Sequence, residues 1–393
     1  MHDPPIYLDN HATTRTDPRV VESMIPFFLD DYGNAASTSH RFGWTASDAV
    51  DRSREQVAMA LEVEAKDVIF TSGATESNNL AIKGLARGCA GAGRDHLITA
   101  ASEHRAVLDP MKRLAREGWR LTVVGCDGQG LIDPDRIAAA ITEKTLLVSV
   151  MTANNEVGAI NPITEIGQIC RARGVFFHTD AAQAVGKIPL TGILENVDLL
   201  SLSAHKFHGP KGIGALYVNR RRPGLKLMPL FDGGGHERGL RSGTLPVPLV
   251  VGLGAAIELA DRERPAEAER IMTLRERLHA GIARMVPAIR LNGPIHGRLP
   301  GNLNLSFQHV DGEALLMTLR DLAVSSGSAC SSMEPEPSHV LTAMGLDEES
   351  ARASLRFGLG RFTTTEEIDR AAAAVATAVQ ALRKHSIAWS APG

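Results

Sequence analysis

Seven short apolar runs lie between residues 68 and 218: 68–71, 96–98, 121–124, 146–151, 175–180, 199–202 and 213–218. They constrain this chain more than any other feature. Each is too short for an ordinary helix and is bounded by polar or glycine signals, so each predicts a buried strand. Stretches with helical spacing fall between them: Leu80, Ile82 and Leu85; residues 106–117; and Ile163, Ile166, Ile169 and Cys170. This alternation predicts the α/β class, with a mostly parallel sheet covered by helices on both faces. Ligands in such sheets bind beyond the carboxyl ends of the strands. Thr75, Asn155, Asp180 and Lys206 all fall just past predicted strand ends.

The rest of the chain has a different rhythm. Residues 6–14 predict a short strand running into a polar turn, Asp17-Pro18 a helix start, residues 32–37 a loop and residues 45–61 a helix. Beyond residues 233–244 the composition shifts. A charged stretch, 259–283, predicts one or two helices that connect domains. Residues 302–307 and 353–359 predict strands and 312–322 a helix. A final helix opens at a capping box, Thr364 with Glu367, and runs to about Lys384. At 393 residues the chain exceeds one compact core. Two domains are expected: a large one over 16–260, and a small one from 1–15 and 261–393.

Composition excludes several classes of partner. A net charge of −3, from 42 basic and 45 acidic residues, gives no general electrostatic case for nucleic acid or an anionic membrane. The cysteines, Cys89, Cys126, Cys170 and Cys330, are far apart and contain no CxxC pair. That pattern predicts neither a zinc site nor a disulfide framework, and it fits a reducing compartment. The first residues show no basic and apolar secretory pattern, and no run has membrane-spanning length. The expectation is a soluble cytoplasmic protein.

Lys206 follows the run 199–202 closely, with Ser203 and His205 beside it and a break at Gly209-Pro210 after it. Such a lysine either snorkels to the surface or forms a Schiff base with an aldehyde cofactor or carbonyl substrate. Residues 68–79 turn from a strand through Gly73, Ala74 and Thr75 into a helix. The turn exposes N–H groups suited to a phosphate, although a plain helix cap by Ser72 or Thr75 explains the same pattern. With Lys206, the chain holds a candidate for every part of a pyridoxal 5′-phosphate (PLP) site. Asp180 would keep the ring nitrogen protonated. Gln183 would reach the phenolic oxygen, or is a plain polar residue at a helix start. Thr75, Ser203 and His205 would donate to the phosphate. His104 would stack on the ring, or is an ordinary histidine. Arg356, inside an apolar run, needs an anion, either a substrate carboxylate or a structural salt-bridge partner. Cys330 lies among small polar residues, 324–332, where a thiol is exposed and mobile or simply incidental. The other three cysteines have apolar or helical neighbours and are expected to be packing residues.

The motifs at 7–14 (YLDNHATT), 70–78 (FTSGATESN), 154–158 (NNEVG), 178–183 (HTDAAQ), 203–206 (SAHK), 233–239 (GGGHERG), 241–246 (RSGTLP) and 325–331 (SSGSACS) cover nearly the whole chain. Through them the chain resembles the cysteine desulfurases of the NifS/IscS type, group I, within the fold-type I PLP-dependent transferases. The resemblance implies a large domain with a mostly parallel seven-stranded sheet between helices, plus a smaller α+β C-terminal domain. That small domain would carry the catalytic cysteine loop at about 325–337. Lys206 would hold PLP covalently and move protons, Asp180 would pair with the pyridinium, Gln183 would contact the ring oxygen, and His104 would stack on the ring. Ala74, Thr75, Ser203 and His205 would hold the phosphate, with Thr244 reaching it from the other subunit of a homodimer. Asn155 and Arg356 would bind the carboxylate of L-cysteine. Cys330 would take the sulfur as a persulfide, release alanine, and pass sulfur to acceptor proteins such as an iron–sulfur scaffold, or toward other thio-cofactors. Glycine and serine around Cys330 would permit the movement this needs. Members of the IscS type often carry a longer tail that helps dock the scaffold. This chain ends soon after Trp389, at Gly393, so tail-mediated docking is not an expectation here and a NifS-like role stays open. Rival expectations are selenocysteine lyase or another fold-type I PLP reaction, and a sulfur-relay or scaffold-binding protein with vestigial catalysis.

Overall fold

The computed structural model describes residues 5–91, 93–326, 337–386 and 389. After a short β1 (Ile6–Tyr7), the seven apolar runs form one sheet. Its strands are β2 (Val68–Thr71), β3 (His96–Ala100), β4 (Arg120–Val124), β5 (Thr145–Ser149), β6 (Phe176–Asp180), β7 (Leu199–Ser203) and β8 (Gly214–Val218). Their order is β2-β8-β7-β6-β5-β3-β4. The pairs among β3 to β7 are parallel, and β8 is antiparallel to both β2 and β7. The exception has a local cause. Only ten residues, 204–213, join β7 to β8, fewer than a crossover connection needs, so the chain turns back on itself.

Both faces of the sheet are covered, which explains why the runs are continuous rather than alternating. Val68, Phe70, Val148, Phe177 and Leu200 point into one core with the helices Arg41–Leu61 and Ile163–Ala172. Ile69, Leu97, Leu147, Phe176 and Leu199 point into the other, against Leu80, Leu85 and the helix Arg105–Arg116. Phe177 is completely buried. Truncating such a side chain to alanine costs about 3–5 kcal/mol.

A second, antiparallel sheet has the order β12-β13-β10-β9. Its strands are β9 (Ile289–Leu291), β10 (Asn302–Phe307), β12 (Ser325–Ser326) and β13 (Ser354–Gly358), with β11 (Leu322–Ala323) just before β12. β1 pairs in parallel with β11, and Asp9 bridges to Gly358. This pairing ends the predicted helix 312–322 early, at Thr318, because Leu322 is committed to β1. The charged stretch 259–283 belongs to a single helix, Val247–Met285, which starts twelve residues earlier than its charge pattern indicates. Val250, Leu253 and Ile257 pack into the large-sheet core. Ile271, Leu274, Leu278 and Ile282 pack with the second sheet and the helix Thr365–Arg383. Pro265 interrupts one backbone hydrogen bond of this helix on an exposed face, where water can replace it. The capping box at Thr364 and Glu367 forms as expected, with both reciprocal bonds made. Among the described residues, no helix is long and apolar enough to cross a membrane.

Candidate active site

β7 ends at Ser203 and tightens into a single 3₁₀ turn, Ala204–Lys206. The turn places Lys206 at the carboxyl edge of the sheet. Its Nζ donates to the carbonyls of His11 (2.7 Å) and Ala12 (2.8 Å). Burial, then the Arg356 cation, pulls this amine down to about 8, against the opposing pull of Asp180 and Asp9. An amine in that range is more often unprotonated, as Schiff-base chemistry requires.

Asp180 closes β6 and is buried. Its Oδ2 accepts from Asn78 Nδ2 (2.7 Å) and its Oδ1 from the Ala182 amide (2.9 Å). Gln183 lies one turn on. Its Nε2 donates to the His11 carbonyl (2.8 Å), and its Oε1 accepts from Lys187 Nζ (2.6 Å). His104 caps the helix Arg105–Arg116, its Nδ1 accepting from the Ala106 amide (3.0 Å). Surrounding protein lowers its pKa, with Asp180 opposing and Lys206 assisting, so the ring is held neutral with its proton on Nε2.

The turn after β2 brings backbones unusually close. Gly73 has φ +146°, and a Cβ there would stand 3.4 Å from Ser203 Oγ. A Cβ on Gly214 would stand 2.4 Å from the Leu202 carbonyl oxygen and 2.7 Å from Gly73 Cα. Glycine at both positions therefore lets Ala74, Thr75 and Ser203 converge. His205, two residues after Ser203, is tied through Nδ1 to Thr13 Oγ1 (3.1 Å). Burial first, then Lys206 and Lys211, pushes its imidazole down to about 4, so it is neutral.

Arg356 is buried on β13. It reaches Asp9 Oδ1 (2.8 Å), Ser325 Oγ (3.1 Å) and the Asn155 carbonyl (3.1 Å). Its Nε and the Asn155 Oδ1 are buried without partners, as is His11 Nε2. Both readings of Arg356 thus find support: it has a structural carboxylate, and it keeps a donor in reserve. Thr244 is exposed, in the segment before the helix Val247–Met285. Cys330 lies outside the described residues. The chain on either side of it is tied to the site: Ser325 Oγ to Asp9 (2.8 Å), Ser338 to the Glu156 carboxylate, and His339 Nε2 to the Glu103 carbonyl (2.9 Å). Cys89, Cys126 and Cys170 are buried, and burial pushes Cys126 up and Cys170 up to about 12, as packing residues should be.

Residues 6–371 match the model of the aminotransferase class-V family. The chain belongs to that family. It is 55% identical over 382 residues to a protein named cysteine desulfurase IscS from Anaeromyxobacter sp. (strain Fw109-5), covering 97% of this chain and 94% of that one. Among solved structures, it resembles a NifS-like protein with TM-score 0.89 and 37% identity, over 96% of this chain and 100% of the other. It also resembles SspA in complex with cysteine, with TM-score 0.80 and 37% identity, over 91% and 100%. The fold is the fold-type I architecture expected from the motifs.

Sequence reasoning assigned no role to several residues that build this site. Asp9 holds Arg356, Asn78 holds Asp180, His11 holds Gln183 and Lys206 through its ring and carbonyl, and Lys187 caps Gln183. The signal for the first of these was present. A polar run, Asp9-Asn10-His11, directly follows a strand, where chain turns carry function.

Proposed function

We propose that the chain is a PLP-dependent cysteine desulfurase: it converts L-cysteine to L-alanine and takes the sulfur onto Cys330 as a persulfide. The observation that carries this reading is the convergence of Lys206 and Asp180, at the carboxyl edge of the large sheet, with Arg356 from the second sheet, both flanks of the Cys330 segment being tied nearby. The residues fit PLP. Lys206 has a lowered amine, the Gly73–Ser203 cradle suits a phosphate, and the unpartnered Arg356 Nε and Asn155 Oδ1 suit a substrate amino acid. When bound, the cofactor supplies an electron sink that weakens bonds to the substrate's α and β carbons.

The chain's own residues do the rest. Ala74, Thr75, Ser203 and His205 bind phosphate oxygens. Asp180, fixed by Asn78 and the Ala182 amide, keeps a proton on the ring nitrogen. His104, its plane fixed by the cap on Ala106, covers the ring face. Arg356 and Asn155 orient the substrate carboxylate. Lys206 Nζ takes a proton from the substrate's α carbon and returns one later. The Cys330 thiolate attacks the substrate sulfur. An S–S bond forms as the Cβ–S bond breaks, and the carbon fragment keeps the electron pair, is protonated and leaves as alanine.

A homodimer is part of this proposal. Phe28, Leu29, Tyr32, Phe42 and Trp44 are all exposed, an apolar surface that a second copy would cover. Thr244, exposed in its own chain, would complete the phosphate site of that copy. Iron–sulfur assembly proteins are the proposed sulfur acceptors, and a reducing cytoplasm would keep Cys330 a thiol between turnovers. The test is turnover of L-cysteine. Lys206→Ala should lose the cofactor's visible band and all alanine formation. Cys330→Ser should keep the band and form no protein persulfide. Persulfide on Cys330→Ser at the wild-type level would overturn the assignment of the nucleophile.

A further inference from the structure

The chemistry above leaves Lys187 idle, although it lies against the site. Ala184 and Val185 bond the Ala181 carbonyl (2.9 and 3.0 Å), and Gly186, in the left-handed region (φ +74°), carries the chain to Lys187, whose amide bonds the Ala184 carbonyl (3.0 Å). This bend brings the Lys187 side chain to Gln183. Lys187 Nζ sits 2.6 Å from Gln183 Oε1, and His11 Nδ1 sits 3.0 Å from the same oxygen. The His11 carbonyl can only accept, so the NH₂ end of the Gln183 amide faces it and the oxygen faces Lys187. Burial holds the His11 imidazole far below its usual range, so the ring is neutral, and with the amide oxygen facing it the tautomer that fits carries its proton on Nδ1. The amide of Gln183 thus has one permitted orientation. Its NH₂ end turns away from Lys187, with one hydrogen on the His11 carbonyl (2.8 Å) and the other available to the site.

The surroundings leave Lys187 charged for only part of the time near neutral pH. It lines a cavity of about 40 Å³ that Lys206 also lines. Such a space admits roughly two or three waters. The charged and titratable groups around it come from four elements: His11 from the N-terminal segment, Lys206 and His208 from the turn after β7, Arg264 and Glu267 from the helix Val247–Met285, and Arg361 from the segment after β13. Burial, Lys206 and Arg356 push the amine down, Glu267 pulls it up, and it titrates at about 7.

We propose that Lys187 is a positioning residue that locks the Gln183 amide with its NH₂ end toward the cofactor's phenolic oxygen and, through that amide, sets the pH at which the cofactor's visible band titrates. This rests on Gln183 reaching the phenolic oxygen. A cation behind the amide strengthens its N–H donor and favours the form with more negative charge on that oxygen. It also disfavours a proton on the Lys206 nitrogen. Both effects lower the titration point, so removing the charge raises it.

The test is a visible-absorption pH titration of the cofactor-loaded enzyme. Lys187→Met should raise the midpoint by about one unit, and Lys187→Arg, which keeps a charged donor, should stay within about 0.3 unit of wild type. Lys187→Gln serves if the methionine variant does not accumulate. A structural role would change stability in these variants and leave the midpoint in place, so an unmoved midpoint in a loaded Lys187→Met or Lys187→Gln enzyme overturns the proposal. Gln183→Ala separates the two layers. If it moves the midpoint while the Lys187 variants do not, only the Lys187 proposal falls. If neither moves it, the reading of Gln183 falls with it.

Discussion

Arg54 and Arg356 are equally buried, each with 9% of its side chain exposed, and each meets a carboxylate. Arg54 grips Glu237 with two nitrogens (2.7 and 2.8 Å), bonds the Val68 carbonyl (2.8 Å) and stacks 4.5 Å over the Phe70 ring. Glu237 in turn accepts the Phe70 amide (2.7 Å). The pair is closed, because both charges spend their bonding capacity on each other and on β2. Arg356 grips Asp9 with one nitrogen and leaves its Nε buried and unpartnered. Leaving a buried donor unsatisfied costs about 1–3 kcal/mol. A closed pair is a staple for the fold. An open pair is held ready for something that arrives from outside.

The contrast can be broken by experiment. The most direct effect is on function. Arg356→Ala should lower kcat/KM for L-cysteine by roughly 100- to 1,000-fold, the loss of about 3–4 kcal/mol of charged contact. Steady-state alanine formation measures it, and Arg356→Lys should restore little, because an ammonium lacks the two-pronged geometry. If Arg356→Ala turned over normally, the pair at the site would be as structural as the other. Next comes stability. Arg54→Ala strands the Glu237 carboxylate and should cost about 3–5 kcal/mol, seen as a lower denaturant midpoint, with kcat/KM of the folded enzyme within about threefold of wild type. A large catalytic defect there would erase the distinction.

The smallest effect is a pH dependence in a second closed network. His178 is completely buried between Ser149 Oγ (2.7 Å) and Ser201 Oγ (3.0 Å), and burial pushes it down to about 3. The unfolded chain, with an ordinary histidine near 6.5, takes up the proton first as pH falls. The stability tied to neutral His178 is therefore present above about 6.5 and is lost progressively toward 3. Between pH 7 and 5 the loss is roughly 2 kcal/mol. His178→Gln should flatten that part of the stability–pH curve. An unchanged slope would mean that other groups carry it.

Much of the architecture was legible because its signals are local. The seven apolar runs, the glycine at the turn after β2, the capping box at Thr364 and the lysine after β7 are each written within a few residues, where period and turn chemistry decide the outcome. Element ends were less legible. The predicted helix at 312–322 lost its last turn to pairing with β1, a partner more than three hundred residues away. Residues 247–258 did not read as the start of the long helix, because the charge pattern marks only its second half. In the site, Lys206 and Asp180 were visible at strand ends and Arg356 as a charge inside an apolar run, whereas Asn78, His11 and Lys187 look ordinary until their partners are known.

The sequence by itself determined the sheet, the position of Lys206 and Asp180 at its carboxyl edge, and the family, since period, turn residues and motifs are properties of short stretches. Only the tertiary structure decided what those residues touch. It joined Arg356 to Asp9, Gln183 to His11 and both flanks of the Cys330 segment to the site. Such contacts depend on strand order and on how distant segments pack, and no local pattern encodes which buried charge is paired and which is left open.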